Sequence, residues 1–418
     1  MKKIAMFFSC CAILMLFASC TESGAERYKK TDEPLAIQVL TPFAGNSGKA
    51  KTYQNVYREW EEMSESVVND RSFELSRSYK ERVDTEFKTD SEPDVLFYFT
   101  GAAADSFVSA KRVMSIEEIR EEFPDYAKNY NKEELPLSGI DEEPYAVPLG
   151  EEWTALFVNK KVLEAAGVEM PGADYTWTQF LADCEKIKES GFVPIAAAFG
   201  DFPYYWWEYI VMNQSGASAD LSETDLEKVK QKSIREITNL YTAGYLPEET
   251  IHIKSEECFD MFMQGEAAFF ADTSWCIDRI EQKCGEELTM SKLEDFGVTY
   301  FPGSKNRKAA EIICDVSMGF YITKKAWNNS EKRKAAEDFV RYVTSDEIVP
   351  RFTDEGLDLL VKKPKNSGDE NILRKQANEM IEKAVSRNSV VWNAFGSEFD
   401  EDITKDIVKE LAEEIAAE

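Results

Sequence analysis

The sequence predicts an α/β protein made of two open sheets, each flanked by helices. Three observations carry this expectation. At 418 residues the chain exceeds one ordinary core and suits two domains. Its 43% apolar and 12% aromatic content is enough for substantial cores and excludes a disordered chain. Short apolar runs alternate with helically spaced stretches, the pattern of parallel strands joined by crossover helices.

The elements follow in order. Leu35–Leu40 reads as a first buried strand ending at Thr41-Pro42, and residues 43–48 form a loop rich in turn formers. Tyr53, Val56, Tyr57, Trp60 and Met63 recur every three or four residues, which predicts an amphipathic helix. Phe73-Glu74-Leu75 reads as a weaker second strand. Residues 94–99 read as a strong third, ending at Thr100-Gly101. At Tyr145-Ala146-Val147-Pro148-Leu149-Gly150 the pattern changes to extended chain with a central proline. A strand at 153–159, helices at 160–166 and 178–190 and an apolar run at 192–198 then open a second α/β unit. Residues 261–270 pass from a helix end through Gly265 into a strand that meets Asp272-Thr273-Ser274-Trp275. A helix at 277–283, strands at 296–301 and 317–323 and a charged helix at 330–342 continue the alternation. In the tail from Glu398, Ile403, Ile407, Leu411 and Ile415 fall at four-residue steps, which predicts a solvated helix packed on one lobe.

The N-terminus indicates the compartment. Lys2 and Lys3 precede an apolar run over residues 4–17, too short for a standard spanning helix and of signal-peptide dimensions. Leu16-Phe17-Ala18-Ser19-Cys20 resembles a lipobox, in which the Cys20 thiol is acylated and becomes the new N-terminus. Phe17 stands where that motif usually has Leu, and plain secretory cleavage after Ser19 is the other reading. Residues 21–26 read as a polar tether. The expected product is a body outside the cytoplasm, lipid-anchored to the cell membrane.

Composition removes several function classes. With 49 basic against 78 acidic residues the net charge is −29, which repels phosphate backbones and excludes nucleic acid as a partner. Acidity of this kind keeps an exported protein soluble. After Cys20 the chain holds Cys184, Cys258, Cys276, Cys284 and Cys314, an odd number with no CxxC pair, and these read as packed thiols. The single histidine, His252, rules out HExxH zinc sites and multi-histidine metal centres, and it reads as a surface residue. In Gly45-Asn46-Ser47-Gly48-Lys49 the glycine spacing is wrong for a phosphate loop. With 78 acidic residues, carboxylate pairs arise by chance and argue for no glycosidase. No cofactor, no metal and no catalytic residue is indicated.

Tyr145-Ala146-Val147-Pro148-Leu149-Gly150 is followed by Leu156-Phe157-Val158-Asn159-Lys160 and Val162-Leu163-Glu164-Ala165-Ala166-Gly167-Val168. Pro171, Thr176-Trp177-Thr178-Gln179-Phe180 and the segment from Lys186 through Gly191 to Pro194-Ile195 come next. This order resembles the signature of the family 1 extracellular solute-binding proteins of ABC importers, the class that includes maltose-binding protein. Weaker matches keep the order: Pro93-Asp94-Val95-Leu96-Phe97, residues 263–270 with Ser274-Trp275, and Met318-Gly319-Phe320-Tyr321-Ile322 ahead of residues 334–339. The resemblance covers residues 34–350 and leaves the last seventy poorly matched.

What it implies is a two-lobed periplasmic-binding-protein-like fold hinged by three crossing strands, with a carbohydrate ligand held between the lobes and passed to permease subunits by a monomer. The crossings are expected near 147–150, 272–275 and 317–321. The division expected is 1–19 signal peptide, 20–33 tether, 34–147 and 273–317 in the first lobe, and 148–272 and 318–418 in the second. Sugars offer hydroxyls at their edges and C–H patches on their faces, so a site needs flat rings and planar polar groups. Trp275, Tyr98, Trp153, Trp392 and one of Trp206 and Trp207 are the expected stacking rings, the sequence leaving open which of that pair faces the cleft. Glu151, Glu152, Asp201 and Asp272 are the expected hydroxyl acceptors. Trp60, Trp177 and Trp327 fall within or at the start of helices and are assigned to packing. A secreted glycan-acting enzyme, or a surface glycan-binding lipoprotein with no transporter, is the alternative. Tyr204-Tyr205 leaves a ferric-ion binder of related fold as a further one.

Overall fold

The computed structural model describes residues 34–417 apart from 46, 75–76, 132–134, 151, 202–203, 217–222, 286–290, 317, 354–371, 387–389 and 392–400. The first lobe is built on β1 (Leu35–Leu40), β2 (Ser66–Asp70), β3 (Val95–Phe99), β4 (Val147–Pro148) and β10 (Met318–Ile322), in the order β2-β1-β3-β10-β4. Helices α1 (Gly48–Met63), α2 (Arg77–Lys88), α3 (Asp105–Ser109), α4 (Ile116–Glu122), α11 (Lys324–Trp327), α12 (Ser330–Val343) and α13 (Val349–Thr353) belong to the same part of the chain. β1 runs parallel to β2 and β3, and β10 runs antiparallel to β3.

The second lobe contains β5 (Glu152–Asn159), β6 (Val193–Ala196), β7 (Ala267–Thr273), β8 (Phe296–Thr299), β9 (Ile312–Asp315) and β11 (Val390–Val391), ordered β11-β9-β5-β7-β6 with β8 also on β5. Its helices are α5 (Lys160–Ala165), α6 (Trp177–Glu189), α7 (Tyr204–Ser215), α8 (Glu223–Thr242), α9 (Ser255–Met263), α10 (Cys276–Cys284), α14 (Ile372–Ser386) and α15 (Glu401–Ala417). Each sheet feeds its own apolar core.

Local chemistry explains most boundaries. Thr176 opens α6 with a capping box, accepting from the Gln179 amide while the Gln179 side chain accepts from Thr176. Asn159 caps α5, Ser115 caps α4, and Ser47 accepts from the Ala50 amide at 3.2 Å to start α1. Ile407 and Leu411 of α15 are buried, and this helix packs on α8. The five cysteines are free thiols, four of them buried. Among the described residues no helix is long and apolar enough to cross a membrane.

Two expectations are corrected. The second strand is Ser66–Asp70, not 73–75: residues 71–74 carry no strand, and β2 pairs in register with β1 from Leu35↔Ser66 to Val39↔Asp70. It is a half-buried edge with two consecutive valines, so it shows neither an apolar run nor clean alternation. Sheet membership after residue 272 also differs. β7 stays in the second sheet to Thr273, where Thr273 pairs with Thr154, and β8 and β9 both pair with β5. The chain passes between sheets between Pro148 and Glu152 and again between Asp315 and Met318, but not at 272–275. Residues 318–353 lie with the first lobe, whereas α14 packs on β8 in the second.

Arg307 holds the region after β8 together. It is 1% exposed, and its hydrogen bonds go to carbonyl and amide oxygens. Its Nε donates to Asn213 Oδ1 at 2.9 Å, Nη1 to the Lys308 and Glu311 carbonyls, and Nη2 to those of Phe301 and Pro302. The guanidinium lies 4.7 Å from the Tyr209 ring centroid. Burial pushes its pKa down to about 10, which leaves it charged at neutral pH.

Candidate functional site

The crossings bring one edge of each sheet to a common seam. Met318, the first residue of β10, pairs with Phe99, the last of β3. Asp315, the last of β9, pairs with Glu152, the first of β5, and Thr154 pairs with Thr273 at the end of β7. Because only two residues separate Asp315 from Met318, the carboxyl end of β3 and the carboxyl ends of β7 and β9 lie on either side of the same passage. The Thr100 hydroxyl donates to the Val316 carbonyl at 2.7 Å and pins this passage. Open α/β sheets bind ligands beyond such strand ends.

Trp275 stands at that edge. The Ser274 amide donates to the Trp153 carbonyl at 2.9 Å, which fixes the turn out of β7, and Trp275 is the residue that starts α10. Its ring is part-exposed and leaves its own lobe to meet the first. Phe43 of the first lobe stacks on it, with centroids 5.9 Å apart and planes within 7°. The Lys49 ammonium sits 3.8 Å from the indole centroid. Phe43 is held by its neighbours Tyr53, Phe97 and Phe352, and its amide donates to the Thr41 hydroxyl.

A charged chain runs beside this stack. Lys49, 1% exposed in the first turn of α1, pairs with Asp278 Oδ2 at 3.0 Å in the first turn of α10. Asp278 Oδ1 accepts from Arg374 of α14 at 2.5 Å, and Arg374 also reaches Glu281 at 3.3 Å. A shallow recess, with room for about one water molecule, adjoins the passage on the first lobe, lined by Thr100, Gly101, Leu137, Tyr145 and Tyr321 among others. Among the described residues no group of three or more His, Cys, Asp or Glu is placed to hold a metal ion.

Of the other expected rings, the four that are described lie in lobe interiors. Tyr98, 2% exposed, packs against Tyr79 and Phe107, while the next residue, Phe99, is part-exposed with the Lys80 ammonium 4.5 Å from its ring. Trp153 is 1% exposed and stacked near Phe157. Trp206 and Trp207 are both 3% exposed, so this pair does not divide between core and cleft. The reason is α7 itself: Trp206-Trp207-Glu208-Tyr209-Ile210-Val211-Met212 has no polar stripe and is buried against α8 and β7.

Two of the expected carboxylates, Asp272 and Asp201, are similarly engaged. Asp272 is buried, accepts from the Thr273 amide and pairs with Arg279 at 2.7 Å. Burial raises its pKa, and the Arg279 guanidinium opposes that shift. Asp201 Oδ2 accepts from the Ser255 amide at 2.9 Å at the start of α9, and Oδ1 meets the Lys254 ammonium at 3.4 Å. It satisfies a free N–H at a helix N-terminus. Asp201→Ala is expected to lower stability by about 1 kcal/mol, read by urea denaturation, with an unshifted midpoint counting against this cap. Glu152 begins β5 at the seam edge. Glu151, Trp392 and Cys20 lie outside the described residues, as does the side chain of Glu152.

Gly200, beside Asp201, fixes the loop after β6. A Cβ there would sit 1.7 Å from the Ile251 carbonyl oxygen, in backbone that no side-chain rotation can clear. Gly200→Ala is expected to cost about 3 kcal/mol, measured by thermal unfolding; wild-type stability would mean the two loops part freely.

Phe43, Lys49, Asp278 and Arg374 were not singled out from the sequence. One signal was available for Lys49: a cation in the first turn of a helix opposes the helix dipole and calls for a partner from elsewhere.

The family model for bacterial extracellular solute-binding proteins matches residues 72–350. Among solved structures, a chitin oligosaccharide binding protein is similar at a TM-score of 0.71 and 17% identity, covering 92% of this chain and 99% of its own. A structure described under xylan utilization by the thermophilic bacterium Caldanaerobius polysaccharolyticus has a TM-score of 0.71 at 16% identity, covering 92% and 96%. The maltose/maltodextrin-binding domain from Bdellovibrio bacteriovorus bound to maltotriose gives 0.67 at 12%, covering 91% and 94%. At identities this low the likeness shows the fold alone. No curated protein matches the chain by sequence. With the family model spanning 279 of the 418 residues and two lobes meeting at a seam of strand ends, the chain belongs to the bacterial extracellular solute-binding protein family.

Proposed function

We propose that the protein captures a sugar or oligosaccharide between its lobes, by ring stacking and carboxylate hydrogen bonds, and delivers it to the permease of an ABC importer. The observation that carries this reading is Trp275, a part-exposed tryptophan at a strand end of one lobe facing the Phe43 ring of the other. A pyranose presents its C–H face to such a ring and its hydroxyls to acids around it. Glu152 starts β5 at this edge, and Glu151 and Trp392 adjoin β5 and β11 in sequence, so they join Trp275 in the proposed site. The structures of similar fold include binders of chitin oligosaccharide and of maltotriose, which agrees with a carbohydrate ligand. The family works outside the cytoplasm. Acylation of Cys20 would hold a monomer at the membrane surface beside its permease. Conformational capture then follows: the lobes close on the ligand, and the closed surface is what the permease recognises.

The deciding experiment titrates the purified protein against mono- and oligosaccharides, including chito-, xylo- and malto-oligomers, by tryptophan fluorescence and calorimetry. Saturable binding of one class supports capture. Silence across the panel removes the sugar reading, and release of reducing ends moves it to an enzyme.

A further inference from the structure

We infer that Lys49, through Asp278 and Trp275, is a latch that holds the two lobes together and occupies the ring a ligand would stack on. Lys49 belongs to α1 of the first lobe, and both groups that face its ammonium belong to the second. These are the Asp278 carboxylate at 3.0 Å and the Trp275 ring at 3.8 Å. Its side chain is 1% exposed and that of Asp278 is 9% exposed, so both charges have left water to meet. An ammonium stripped of water is stable only while that contact lasts.

The two ends of the latch are not equivalent. Asp278 retains the Arg374 guanidinium on its other oxygen whether or not Lys49 is present, because α14 packs on the same lobe as α10. Both α10 and its neighbour cation favour the Asp278 charge. Among the described residues Lys49 forms no second ion pair, and the dipole of its own helix opposes it. Separation of the lobes therefore rehydrates Lys49 and leaves Asp278 paired. The desolvation of one lysine offsets much of the attraction, so the contact is a poised one that opening can break. Phe43 adds an apolar face to the same contact, stacked on Trp275 within 7°.

The latch stands on these contacts alone. Its bearing on capture, that ligand must displace Lys49 and Phe43 from Trp275, rests on the reading of Trp275 given above. The test is accordingly run without any sugar. Small-angle X-ray scattering and acrylamide quenching of tryptophan emission are recorded on the full chain and on Lys49→Glu and Lys49→Met. Glu places an anion against Asp278 and is expected to move the closed-to-open ratio about tenfold toward open, the ordinary scale of coupling between two states. The radius of gyration and the quenching constant both rise. Met keeps an apolar stem on Trp275 but loses the ion pair, and is expected to shift the same way by less. Circular dichroism checks folding, and if the Glu variant fails to fold, the Met variant decides. Scattering and quenching unchanged from wild type in a folded variant would overturn the latch. So would a wild-type profile matching separated lobes. Neither result depends on whether a sugar binds.

Discussion

Arg307→Met should lower the melting temperature of the second lobe by about 10 °C, on a cost of about 4 kcal/mol. The side chain spends all its donors on five acceptors: the carbonyls of Phe301, Pro302, Lys308 and Glu311 and the amide oxygen of Asn213. Methionine fills the volume and supplies none of these bonds, and a buried acceptor stripped of its donor costs roughly 1–3 kcal/mol. Against this stands the cost of burying the guanidinium, visible in a pKa pushed down to about 10. Five lost bonds outweigh one relieved desolvation. Arg307→Lys keeps the charge but lacks the planar fork, so it should fall between the two. Calorimetry of both variants checks the order; a Met variant as stable as wild type would mean water takes over the acceptors.

The parts of this fold that were legible in the sequence are those fixed locally. β3, Val95-Leu96-Phe97-Tyr98-Phe99, is buried as far as Tyr98 and reads as an unbroken apolar run. Thr176 and Gln179 announce the start of α6 at the spacing a capping box requires. What was not legible depends on pairing at long range. β8 and β9 lie on β5, which precedes them by well over a hundred residues, and nothing in residues 296–299 or 312–315 names that partner. Lobe membership after residue 272 was therefore beyond local pattern. The site divides in the same way. Trp275 follows a strand and opens a helix, so its place at an edge could be read directly. Its partners could not, because Phe43, Lys49 and Asp278 meet it only once both lobes are built. The first-lobe ring stacked on Trp275 is Phe43, although Tyr98 was the ring expected at the cleft. Successive residues of a strand point to opposite faces, and Tyr98 turns inward to Tyr79 and Phe107. For Trp206 and Trp207 a signal existed: a helix apolar on every side is an interior helix.

Trp275→Ala is expected to weaken binding of whichever sugar the wild-type chain takes up by about 30- to 150-fold, or roughly 2–3 kcal/mol. Two effects oppose each other in this variant. Loss of the indole removes the stacking face and the apolar area it buries, the usual energetic centre of a hot spot. It also removes the contact with Phe43 and Lys49, which a ligand no longer has to displace. The second gain is bounded, because Lys49 keeps Asp278 as its ion-pair partner after the ring has gone. The loss of stacking is therefore the larger effect. Trp275→Phe retains a smaller face and should lose less, while Lys49→Met, which only loosens the competing contact, should bind at least as tightly as wild type. That ordering, wild type and Lys49→Met tightest, then Trp275→Phe, then Trp275→Ala, is read by calorimetry on variants whose circular dichroism matches wild type. If Trp275→Ala bound its sugar undiminished, the ring would be a lobe contact and no part of the ligand site.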